Sequence, residues 1–323
     1  MLRAYEAEDA GAVVSLWNAA VTAEAEGKDW YVESNRLSEQ KLGRIGLDPN
    51  FDPGGAVVYE NQGEVVGYVR GVVKTIPAYE GEPLAEMPAY LEGLVVAKSF
   101  RGQGIGTRLL QHAESFARAR RKGVLRAACF QSAIAGVSML PGSSGYVFLV
   151  SRGYEPEPHE MRLELKFQNF SLRDEIVKTR ERLRGEGIEI KYYGAGYRGS
   201  FQRLMETEFT HWWHFIYRPN LDRDDPLPVL IATDGDRVVG FVGFVHVSED
   251  GRAGFTPGVD PDYRRRGIGE VLVNLWGAEA KDRGAEKSLI STGTTNYPAQ
   301  CIYFGMGYRK LGEFSRGLTK RLW

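Results

Sequence analysis

Between 105 and 117 the apolar residues Ile105, Leu109, Leu110, Ala113, Phe116 and Ala117 recur at three- and four-residue steps, one face of a helix. Ile268, Leu272, Leu275, Trp276 and Ala280 repeat the pattern further along. Gly123 and Gly284 stand just past the two runs, where a helix end favours glycine. A short apolar strand is predicted after each helix, over 124–130 and 287–293. Upstream, YENQGEVVGY (59–68) and IATDGDRVVGF (231–241) read as hairpins turning at Gly63 and at Asp234-Gly235. Residues 161–167 alternate as a strand. Residues 171–187 read as a helix, with Ser171 and Asp174 at capping-box spacing. IEIKYY (188–193) then opens a second set of elements as LRAY (2–5) opens the first.

The two sets are one layout used twice. VVAKSFRGQGIG (95–106) aligns without a gap on GVDPDYRRRGIG (258–269), an offset of 163 residues. Gly67 and Gly240 are 173 apart, and Gly153 and Gly307 are 154 apart. Drifting offsets are what loop insertions and deletions leave in a duplicated domain. The extra length of the first copy falls in the Pro/Gly-rich stretch 75–93. The expected fold class is α/β with α+β character, a mixed sheet in each of two tandem domains. The expected divisions are 1–167, a linking helix at 168–187, and 188–323.

A chain of 323 residues suits two cores. Its net charge of −1 argues against an extended polyanion partner, so no nucleic acid and no anionic membrane surface is expected. The apolar run 238–247 is half a membrane span, and the first ten residues do not read as a secretion signal. Cys129 and Cys301 make no disulfide or metal framework. A cytoplasmic protein is expected.

The candidate chemistry lies in the glycine turns. Arg101-Gly102-Gln103-Gly104-Ile105-Gly106 and Arg264-Arg265-Arg266-Gly267-Ile268-Gly269 each fall between a strand and a helix start. There the first helical N–H groups lack partners and the helix dipole is positive. Glycines let successive N–H groups face a phosphate, and the arginine adds a charged donor. The turn therefore reads as a diphosphate cradle. Gly-x-x-x-x-Gly-Lys-Ser/Thr is absent, and Thr107 and Leu272 stand where a dinucleotide fingerprint needs its third glycine.

On these residues the chain resembles the GNAT N-acetyltransferase superfamily, duplicated. A second family block is similar to Asn296, Ala299, Tyr303, Gly307 and Tyr308. The resemblance implies acetyl-CoA or another acyl-CoA as cosubstrate, with its pantetheine along 93–96 and 256–259, at Val96 and Val259. It implies direct attack by an amine in a ternary complex, an oxyanion donor at the Val259 N–H, and Tyr303 as general acid toward sulfur. The first copy has Gly142 and Leu149 where the second has Asn296 and Tyr303. Catalysis is therefore expected in the second domain, with the first degenerate. Some members carry a catalytic carboxylate at the position of Glu92, but its counterpart in the second copy is Phe255. Glu208, His211 and His214 are the candidate acid–base groups there, with Glu208 and His214 foremost and no metal expected. Cys301 reads as an ordinary core cysteine. The expected acceptor is a small-molecule amine, and the expected assembly a monomer or homodimer. The rival reading is a non-catalytic acyl-CoA-binding sensor.

Overall fold

The two apolar stripes form helices at Ile105–Ala119 and Ile268–Asp282, each burying the face that the periodicity marks. The computed structural model describes residues 1–43, 48–128 and 139–323; Cys129 lies outside them. In chain order the elements are β1 (Leu2–Ala4), α1 (Ala10–Ala25), α2 (Asp29–Asn35), α3 (Glu39–Gly43), β2 (Ala56–Asn61), β3 (Glu64–Val72), β4 (Ala89–Val96) and α4 (Ile105–Ala119). There follow β5 (Val124–Ala128), α5 (Ser144–Val150), β6 (Glu155–Pro156), β7 (His159–Lys166), α6 (Asp174–Gly185) and β8 (Ile188–Tyr192). The second set continues with α7 (Arg198–Glu208), α8 (Thr210–Trp212), a π-helical turn (Trp213–Tyr217), α9 (Arg218–Leu221), β9 (Val229–Asp234) and β10 (Arg237–Gly243). It ends with β11 (Arg252–Ala253), β12 (Thr256–Val259), α10 (Ile268–Asp282), β13 (Lys287–Gly293), α11 (Tyr297–Gly305), β14 (Arg309–Ser315) and β15 (Gly317–Arg321).

The chain divides into two compact units, 1–160 with 313–323, and 161–312. These differ from the expected divisions because strand partners, not chain order, decide them. In the first unit a seven-stranded sheet runs β1-β2-β3-β4-β5-β15-β6, so the chain's last strand lies between β5 and β6. Five residues of β15 pair antiparallel with β5, from Gly317↔Ala128 to Arg321↔Val124. In the second unit β7, which falls within the expected first division, takes the corresponding place in the order β11-β13-β7-β14. Alternation identified 161–167 as a strand but carries no information about which strand it joins.

The duplication is visible atom by atom. A Cβ on Gly67 would meet Leu109 and Ile105, and one on Gly240 would meet Leu272 and Ile268. Gly106 faces Val96 and Phe148, as Gly269 faces Val259 and Ile302. The first set keeps offsets of 173 and 163 residues, the second 163 and 154. The Tyr154 N–H donates to the Leu149 carbonyl at 3.2 Å, and the Tyr308 N–H to the Tyr303 carbonyl at 3.1 Å. Leu149 and Tyr303 are thus equivalent positions.

Three local expectations change. Helix α6 starts at Asp174 with Arg173 as its cap residue and no side-chain cap, so Ser171 does not close a capping box. Asp174 and Glu175 in the first turn complement the helix dipole instead. Cys301 is exposed on α11 rather than in the core. Among the described residues no helix is long and apolar enough to cross a membrane.

Leu318 on β15 is fully buried in the core of the first unit with Leu125, Ala127 and Tyr154. Leu318→Ala should therefore destabilise that unit by about 2–5 kcal/mol. Urea unfolding checks this; an unchanged midpoint would contradict the position of β15.

Candidate functional site

Each glycine turn is held by the strand before it. The Ala97 N–H donates to the Val66 carbonyl and the Asp260 N–H to the Val239 carbonyl, both at 2.9 Å. In an antiparallel ladder, alternate residues point their peptide groups away from the partner. Val96 and Val259 therefore turn theirs away from β3 and β10. Their carbonyls are taken by the arginines that open the turns, Arg101 Nε to Val96 at 3.2 Å and Arg264 Nε to Val259 at 3.1 Å. The motif arginine thus fixes the loop to the strand, a role the sequence pattern did not reveal. Pro257 stands at a position whose nitrogen faces away from β10, so its missing N–H costs that ladder nothing.

The turns then reverse into the helices through left-handed residues, Gly104 at φ 81° and Gly267 at φ 88°. Gly102 and Arg265 occupy one equivalent left-handed position, at φ 78° and 63°. The first N–H groups of α4 and α10 have no side-chain cap. Both turns thus leave backbone donors at a positive helix end beside a strand edge, which is a seat for an anion.

The strands part beside both turns. In the first unit β4 pairs in parallel with β5 only over Ala89–Leu91. Opposite β3, Glu92 is the extra residue of a bulge between the Arg70 and Gly71 pairs. In the second unit Arg252 and Ala253 pair with β13, whereas 256–259 pair with β10. The chain thus changes sheets across Gly254 and Phe255.

Beyond the turns the two units diverge. In the first, a cavity of about 620 Å³ runs from Gly102, Gly104 and Gly106 to Leu91 and Ala127, the last pair before the strands part. At its mouth the Glu24 carboxylate accepts from Arg101 Nη1 at 3.2 Å and from the Ser144 N–H at 2.9 Å, and also bonds the Ser144 hydroxyl. Burial raises the Glu24 carboxyl, but the Ser144 and Arg101 donors outweigh it and hold it below the ordinary range. Glu92 is fully buried and ion-paired with Arg70 at 2.9 Å.

In the second unit the Arg264 side chain is exposed apart from its Nε bond. Arg266 gives its carbonyl to Arg182 Nη2 at 2.7 Å, and its guanidinium lies over Tyr263. Thr179 on α6 approaches Gly267 so closely that a Cβ there would come within 2.8 Å of it. Asn296 caps α11, accepting from the Ala299 N–H at 3.5 Å. Tyr303 on α11 is 6% exposed, with its ring centroid 5.7 Å from Phe255 and 5.8 Å from Tyr308. Burial pushes its phenol up to about 12.

The acid–base candidates lie on α7, α8 and the π-helical turn. Glu208 is exposed at the end of α7, and the His211 ring lies 4.6 Å from that of Phe215. His214 is half-buried on the π-helical turn, a geometry frequent at functional sites. That turn is tied to the start of β12, since the Tyr217 hydroxyl donates to the Thr256 carbonyl at 2.6 Å. Trp213 and Tyr217 are core residues, and Trp212 stacks on Phe209. Among the described residues no group of three or more His, Cys, Asp or Glu could hold a metal.

A family model described as acetyltransferase (GNAT) family matches residues 19–137 and again 190–308. The chain belongs to this family, and the two matches make it a tandem member. N-acetyltransferase family 8 member 2 of Rattus norvegicus is 34% identical over 97 residues, covering 28% of the chain. The chain spans about two fifths of that relative, 43% of its length. Mycothiol acetyltransferase of Nocardia farcinica is 26% identical over 290 residues, 84% of each chain. Among solved structures, a GCN5-related glucosamine N-acetyltransferase region of a fungal multi-domain β-N-acetylglucosaminidase matches at TM-score 0.74 and 19% identity. It covers 98% of this chain and 38% of that one.

Arg264→Ala removes a charge-assisted hydrogen bond worth about 1.5–3 kcal/mol, so acetyl-CoA affinity at the second turn should fall about 10- to 100-fold. Glu24→Gln removes the carboxylate that holds Arg101 and should tighten binding at the first turn. Calorimetric titration checks both; unchanged constants would detach these residues from any anion site.

Proposed function

We propose that the chain is an acyl-CoA-dependent N-acetyltransferase that moves an acetyl group from acetyl-CoA to a primary amine of a small molecule, with the chemistry in the second unit. The observation that carries this reading is the pairing of a preformed cradle at Arg264–Gly269 with a buried phenol, Tyr303, beside the parted strands. The Nocardia relative, alike over most of both chains, is named for mycothiol, which favours a small-molecule acceptor. In this reading Arg264, Arg265, Arg266, Gly267, Ile268 and Gly269 hold the diphosphate. The Val259 N–H, turned away from β10, receives the oxyanion when the amine attacks the thioester carbon. Asn296 positions α11. The first unit, with Leu149 in place of the phenol, binds acyl-CoA through Val96 and Arg101–Gly106.

The role of Tyr303 is narrowed by its environment. Burial raises the Tyr303 phenol to about 12, so at neutral pH it stays protonated and can donate to the departing sulfur. The amine's proton goes to His214 or to water. His214 is favoured over Glu208 because its turn is the one bonded to β12.

Tyr303→Phe should lower kcat about 10- to 100-fold with little change in KM, consistent with loss of one donor to developing charge. Unchanged thiol release would remove the role. The pH profile supplies a second check. In the unfolded chain a tyrosine titrates near 10, whereas Tyr303 is raised to about 12 by burial. Its contribution to stability is complete below about pH 10 and is lost as pH rises through about 12. The kcat profile should show no phenol limb below about pH 11.

A further inference from the structure

The first unit differs from the second most at the place where its strands part. There the second unit is filled with rings. Phe255 lies 4.4 Å from Trp276 and 5.7 Å from Tyr303 between ring centroids, and Trp276 is anchored by its indole N–H on the Phe244 carbonyl. At the same offsets the first unit carries Ala113 for Trp276 and Leu149 for Tyr303. Glu92, at the position of Phe255, is paired with Arg70 and takes no part in lining the cavity. Of these positions Leu149 lines the first unit's cavity, where the second copy has the Tyr303 ring. The cavity's walls at that end are Trp17 and Val21 from α1, Leu91 from β4, Ala127 from β5, Met139 and Leu149.

This apolar end is continuous with the glycine turn, since Gly102, Gly104 and Gly106 line the same cavity. A ligand with its diphosphate on the turn and its pantetheine along β4 would carry its acyl group to Leu91 and Ala127. A two-carbon group leaves apolar wall there unmatched, and each further methylene buried against it is favourable. We propose that the first unit is a binding site for acyl-CoA carrying an apolar chain longer than acetyl, with Leu149 and Val21 setting the accepted length. The proposal rests on the reading of the first turn as an acyl-CoA cradle. It gives the two copies different ligands, a long acyl-CoA in the first and acetyl-CoA in the second.

The test is calorimetric titration of the full chain with acetyl-, hexanoyl- and decanoyl-CoA, with Arg101→Ala and Arg264→Ala assigning each binding event to its turn. The event lost with Arg101→Ala should prefer hexanoyl- to acetyl-CoA by at least about tenfold, as burial of four more methylenes allows. Leu149→Tyr, which copies the second unit, and independently Val21→Phe should bring that ratio to about threefold or less. Each should leave acetyl-CoA binding at both turns, which also shows that the variant is folded. A first-turn site that binds all chain lengths alike would overturn the proposal and leave the cradle standing. A preference that survives both substitutions would overturn it too, because the chain would lie elsewhere. If no acyl-CoA binding responds to Arg101→Ala, the cradle reading of the first unit and the proposal fail together.

Discussion

The structure depends on one junction, used twice: a strand that has released one neighbour, an arginine that grips its last carbonyl, and a left-handed residue that starts a helix. The Nε bonds from Arg101 to Val96 and from Arg264 to Val259 tie each turn to its strand edge. The close approaches at Gly106 and Gly269 are part of the same constraint. A Cβ on Gly269 would come within 3.3 Å of the Val259 side chain, and one on Gly106 within 3.3 Å of Phe148. Strand edge, anion seat and helix end are therefore positioned as a single rigid piece. The remaining elements of each unit serve to bury its apolar sides.

Local features were legible in the sequence wherever they depended on neighbours along the chain. Apolar steps located α4 and α10, turn residues located the hairpins, and ungapped motifs located both junctions. Features that depend on distant partners were not. The Arg101–Glu24 pair joins residues 77 apart, and neither charge pattern nor spacing marks it. Alternation in 161–167 shows that a strand forms, yet a strand has the same pattern whichever neighbour it takes. The exposure of Cys301 escaped notice because a nine-residue helix with weak sidedness does not declare its buried face.

Duplication left the junctions alike and let the interiors part. Gly67 falls on Gly240 at an offset of 173 and Gly106 on Gly269 at 163, while Ala113 falls on Trp276 at 163 and Leu149 on Tyr303 at 154. The first pairs are constrained by backbone approach, where even a methyl group intrudes. The second pairs differ in side-chain size, an alanine against a tryptophan and a leucine against a tyrosine.

The place of β15 has a consequence for the order in which the molecule is made. A ribosome delivers residues 1–160 long before 317–321, and until those five residues emerge, β5 and β6 face one another across a vacant lane. Domains ordinarily fold in the order of their synthesis. Here the unit begun first is completed by a strand that follows the whole of the second unit, and its sheet lacks that strand until residues 317–321 have emerged.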